Sequence, residues 1–160
     1  MITLEGEVLI DLLMNPCRIW LPQAVADEAT QNQQHPDAQV VTQRVASGSL
    51  VVESPTMPTP DFLDVYHLGQ GEKEAIGLYL SNCDETDYLV TDDKLAYLVC
   101  SRMEISVRLL PDLIIELVRQ GRWPKIQARK ILEVTRPRYS AGIMVHSRVL
   151  LEEVIQDAQA

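Results

Sequence analysis

At 160 residues, with 46% hydrophobic and 23% charged side chains, the chain has the composition of one soluble globular domain able to bury a core. It has no apolar run of membrane-spanning length, and its acidic start, MITLEGEVLI, lacks the basic lead of a signal peptide, so a cytoplasmic location is expected. Cys17, Cys83 and Cys100 show no CxxC spacing and His35, His67 and His146 are scattered, which argues against zinc and against a disulfide framework. The net charge of −9 is unevenly spread. Residues 1–118 hold 6 basic and 19 acidic side chains, whereas residues 119–138 hold seven basic ones (Arg119, Arg122, Lys125, Arg129, Lys130, Arg136, Arg138) against Glu133 alone. That asymmetry is the pattern of a nucleic-acid contact patch beside an acidic metal site.

In chain order, Ile2-Thr3-Leu4 predicts a first strand ending at Glu5-Gly6-Glu7, and Val8–Met14 a brief helix stopped by Asn15-Pro16. Cys17–Leu21 predicts a second strand, and Pro22 suits the first turn of a helix through Ala29. The polar run Thr30–Gln39 predicts a loop, Ala38–Ala46 a helix closed by Ser47-Gly48-Ser49, and Leu50–Glu53 a third strand. Prolines 55, 58 and 60 predict a rigid extended connection.

Residues 69–94 form the centre of the pattern. A glycine-marked helix start carries Glu72 and Glu74, and a strand Tyr88–Thr91 ends at Asp92-Asp93. Beyond it, Lys94–Met103 predicts a helix with Leu95, Leu98 and Val99 on its buried face, and Ser106–Leu110 a fifth strand. Pro111 opens a helix ended by Gln120-Gly121, Pro124 opens a basic helix to Val134, and Val145–Gln156 is the last. Strands alternating with helices predict an α/β fold: three layers, α/β/α, around a five-stranded, mainly parallel sheet. The expectation is a single domain, 1–160, with 111–160 as its C-terminal helical part.

Carboxylates just past the carboxyl end of such a strand lie where open α/β sheets keep their chemistry. Several acids with no histidine or cysteine among them are the hard oxygen donors of Mg²⁺ or Mn²⁺. Spacing does not choose between Glu72 and Glu74, for one of which a charged first helical turn favoured by the macrodipole is the simpler role. Nor does it choose between Asp92 and Asp93, one of which suits an N-cap. Glu28 alone would be an ordinary solvated helix position.

The order of these pieces resembles the PIN domain, a family of metal-dependent ribonucleases that includes the toxins of toxin–antitoxin pairs. The resemblance is carried by Ile2–Leu13 as the opening strand and helix and by Leu21–Glu28 as the proline-led second helix with its terminal glutamate. Gly71-Glu72-Lys73-Glu74-Ala75-Ile76 resembles the family's G-E-x-E-A-I helix, and Leu89-Val90-Thr91-Asp92-Asp93 its strand end. The C-terminal half resembles a subgroup of predicted nucleic-acid-binding PIN proteins.

This resemblance implies a Mg²⁺- or Mn²⁺-dependent hydrolase acting on single-stranded RNA. Its implied catalytic acids are Glu5, Glu28, Glu74 and Asp93, with metal ligands among Glu5, Glu72, Glu74, Asp92 and Asp93. An antitoxin protein partner and a homodimer are further family implications; a membrane partner is not. The family's first-strand aspartate falls on Glu5 and its following Asn/Ser on Glu7. The added methylene displaces the Glu5 carboxylate, so the alternative is a catalytically degenerate PIN fold that binds RNA or protein. Glu7 and Asp11 read as bystanders.

For nucleic-acid contact the candidates are Arg122, Lys125, Arg129, Arg136 and Arg138, with Trp123 and Tyr139 as neighbours able to stack on bases. The plain alternative is a solvated helix face.

Overall fold

The computed structural model describes residues 3–4, 7–15 and 17–158, and the side chains of residues 9–15 and 17–154. Glu5 therefore lies outside the described residues, and of Glu7 only the backbone is described. The chain runs β1 (Thr3–Leu4), β2 (Glu7–Val8), α1 (Leu9–Met14), β3 (Ile19–Pro22), α2 (Gln23–Thr30), α3 (Pro36–Ala46) and β4 (Leu50–Glu53). A 3-10 turn (Asp61–Val65) leads to α4 (Gln70–Ser81), β5 (Leu89–Val90), α5 (Lys94–Arg102) and β6 (Val107–Arg108). The chain continues with α6 (Leu110–Arg119), α7 (Lys125–Thr135), a 3-10 turn (Arg136–Arg138) and α8 (Ala141–Ala158).

Two compact units result, one of residues 17–107 and one of residues 1–16 with 108–160. In the first, β3 and β4 pair in parallel, with Ile19 opposite Leu50 and Pro22 opposite Glu53. Pro22 has no N–H to give and becomes the N-cap of α2. Helix α4 packs against β3, β5 and α2. It also carries the proline segment: a Cβ on Gly77 would stand 2.9 Å from Thr59 Cγ2 and 3.0 Å from Pro55 Cγ. A helix-interior glycine, ordinarily unfavourable, is what lets this segment lie flat on the helix. Behind it Leu63, Leu68, Ile76, Leu89, Ala96, Val99, Cys100 and Val107 form the core.

In the second unit, α6 buries Leu113, Ile114, Ile115 and Leu117 and packs against α7 and α8, which contribute Ala128, Ile131, Leu132 and Leu151. The buried hydroxyls of Thr135 and Ser147 donate to the Leu132 and Ile143 carbonyls of their own helices and so cost little. Gly121, at φ +68°, turns the chain out of α6.

The chain is α/β, and each of the five anticipated strand positions carries a strand. The single five-stranded sheet is not seen among the described residues: the strands pair two by two, β1 with β2 antiparallel, β3 with β4, and β5 with β6. The physical reason is strand length. β5 stops at Val90 because Asp93 already caps α5, and β6 stops at Arg108 because α6 begins at Leu110. Two residues leave few backbone groups for a further neighbour.

Three local expectations shift as well. α3 begins at Pro36, a proline at the first helical position, inside the stretch read as a loop. Helix α8 starts at Ala141. Leu95 and Leu98 are 37% and 45% exposed, because the face that packs into the core is the i, i+3, i+4 stripe Ala96, Val99 and Cys100.

Candidate active-site cleft

Gly69 is the N-cap of α4, and its carbonyl accepts from Lys73 N at 3.1 Å. Glu72 sits in the first turn, where the helix dipole favours a carboxylate. Its carboxyl group folds back over Gly69, into the space a side chain there would fill. Facing it, α2 approaches so closely that a Cβ on Gly71 would stand 3.0 Å from Val25 Cγ2. Between these helices and the end of β5 opens a cleft of about 450 Å³. Its apolar floor comes from Ile76, Leu89, Ala96 and Cys100, all buried, and its polar lining includes Glu28 of α2, Glu72 of α4 and Thr91. Burial pushes the Cys100 thiol up to about 11, against a smaller lowering by a backbone hydrogen bond.

Among the described residues, neither Glu28 nor Glu72 has an ion pair or a side-chain hydrogen bond. Lys73, the cation nearest in sequence, is held by Asp64 at 2.6 Å.

The remaining anticipated acids have other partners. Glu74 Oε2 accepts from the backbone N–H of Ala24 at 2.8 Å, and its Oε1 from Gln70 Nε2 at 3.0 Å. Asp93 Oδ1 caps α5 by accepting from Ala96 N at 2.7 Å, while Asp93 N donates to Thr91 Oγ1 at 3.1 Å. Asp92 is exposed beside it. Among the described residues, no three of His, Cys, Asp and Glu gather closely enough to form a metal cage. Gly71 and Cys100 also line the cleft, and the spacing of the acids carries no signal for either. Only the glycine's place at the helix start hinted at close approach.

The basic segment is largely occupied by its own unit. Glu152 of α8 accepts from Lys125 Nζ at 2.8 Å and from Arg129 at 2.6 Å, and these two bonds, Lys125 first, hold its carboxyl below the usual range. Arg148 of α8 pairs with Glu133 of α7. Arg136 and Arg138 are exposed on the 3-10 turn. Arg122 lines a second pocket, of about 370 Å³, with Leu12, Asn15, Trp123 and Gln127. Trp123 is only 5% exposed and Tyr139 is half-buried, so both pack before they can stack. No helix among the described residues is long and apolar enough to cross a membrane.

Compared with known families, residues 2–159 match a family model described as a PIN domain. No curated protein and no solved structure gives a significant match.

Proposed function

Because the chain belongs to the PIN-domain family, whose fold is nuclease-like, we propose that it is a divalent-metal-dependent ribonuclease with its active site in the α2–α4 cleft. The observation that carries this reading is the pair Glu28 and Glu72, brought from two helices into one cleft at the end of β5 without a counter-charge. Two carboxylates fit Mg²⁺ or Mn²⁺ of the kind that keeps several waters and shares its remaining positions with substrate phosphate. Bound there, such an ion would polarise a phosphoryl oxygen and lower the pKa of an attacking water. Glu28 and Glu72 would hold it, and Thr91 offers a hydroxyl to the substrate backbone. Arg136 and Arg138, exposed on their turn, are the cations proposed to meet RNA phosphates.

The test is cleavage of a labelled single-stranded RNA by the purified protein with Mn²⁺. We expect cleavage that EDTA abolishes, and that E28Q and E72Q each slow by about a hundredfold or more. Unchanged rates in both variants would remove the cleft from the chemistry.

One observation favours a second reading, a PIN fold that binds RNA without cutting it: no third acid joins the pair among the described residues. It predicts metal-independent RNA binding that weakens steeply with salt.

A further inference from the structure

We propose that Glu74 is a positioning residue: from α4 it anchors the first turn of α2, and so sets Glu28 opposite Glu72 without entering the cleft. Its activity readout rests on the ribonuclease reading; the geometry does not.

The need arises at the start of α2. The first N–H groups of a helix have no partner within it, and the N-cap here is Pro22, whose side chain has no acceptor. The Gln23 amide donates to Asp27 at 2.7 Å and leaves the backbone unserved. Ala24 N–H finds its acceptor fifty residues on, in Glu74 Oε2 at 2.8 Å, a charge-assisted bond at the positive end of the helix dipole. Gln70, one turn earlier on α4, holds the other oxygen at 3.0 Å and so fixes the carboxylate's plane.

Helix geometry then separates the two glutamates. Residues two apart differ by about 200° around the axis, so Glu72 and Glu74 cannot address the same point. Glu28 lies four residues beyond Ala24, one turn along the same face of the anchored helix. The close passage of Gly71 against Val25 is the second clamp. What this role requires of residue 74 is an acceptor oxygen of the right reach, and a glutamine amide also supplies one. A metal ligand would need the charge.

Full-length wild type, E74Q, E74A and E72Q would be compared in three assays: Mn²⁺-dependent cleavage of single-stranded RNA, Mn²⁺ binding by calorimetry, and amide exchange at Ala24 by NMR. E74Q is expected to keep kcat and Mn²⁺ affinity within about threefold of wild type and to keep the Ala24 amide protected. E74A should lose about 10–100-fold in kcat, with fast exchange at Ala24. E72Q should lose cleavage and Mn²⁺ binding while Ala24 stays protected. If E74Q falls as far as E72Q, or if Ala24 exchange is untouched in E74A, the positioning role is overturned. If wild type itself does not cleave RNA, the ribonuclease reading fails alone, and the exchange data still decide the role of Glu74.

Discussion

The acidic cleft and the basic α7 segment treat charge in opposite ways. Glu28 and Glu72 come from helices more than forty residues apart in sequence, and the described structure leaves both without a cation. The cations of α7 are near neighbours in sequence, yet Glu152 takes Lys125 and Arg129. A dense run of one sign along a helix is easily answered by an adjacent helix of the other sign, whereas charges converging from distant elements are not screened by their own neighbours. Counting charge along the chain locates a field; only packing decides what remains available to a ligand.

The largest expected effect tests the cleft side of that contrast, through the loss of RNA cleavage in E28Q and E72Q described above. The scaffold behind the cleft comes next. In G77A the new methyl would meet Thr59 and Pro55, and overpacking should outweigh the better helix propensity of alanine, lowering stability by about 1–2 kcal/mol in urea unfolding. A more stable G77A would mean that the proline segment does not rest on α4.

Cys100, on the cleft floor, reports on how tightly the cleft is shut. With its pKa raised to about 11 from 9.0, the folded state holds the proton that the unfolded state releases. Its contribution to stability is thus complete below pH 9 and is lost as pH rises from there towards 11. Near pH 8 a thiol reagent should label exposed Cys83 at once and Cys100 only on unfolding, followed by mass spectrometry of the labelled peptides. Rapid labelling of Cys100 in the native protein would show the floor to be open.

The smallest effect belongs to the paired side. Removing Glu152 as E152A should barely move the thermal midpoint, since its bonds are solvent-exposed. It should strengthen RNA binding and steepen the log–log salt dependence by about 0.7 per released cation that reaches a phosphate. The Lys125 and Arg129 bonds lower the Glu152 pKa, so the bridge holds above the ordinary carboxylate pKa and is lost as pH falls through the lowered value. An unchanged salt slope in E152A would take α7 out of RNA contact.

Helix starts were legible at Gly69, Pro111 and Pro124, where a glycine or proline precedes an apolar pattern, but not at Pro36, which lies in a polar run; that one of Asp92 and Asp93 caps α5 was legible, and which of them does so was not. Strand positions were legible from short β-branched runs. Their assembly was not, because strands of two to four residues carry no pattern that names a partner. The inward face of α5 was not legible because two apolar stripes compete on it, and the smaller side chains Ala96, Val99 and Cys100 are the ones that fit against the core.

By itself, the sequence determined the α/β class and the PIN-domain membership. The tertiary structure alone brought Glu28 and Glu72 to one cleft. Glu72 and Glu74 are equivalent in composition and nearly so in position. What separates them is the Ala24 N–H, which has no acceptor within its own helix and arrives beside α4 from fifty residues away, a demand that no local pattern encodes.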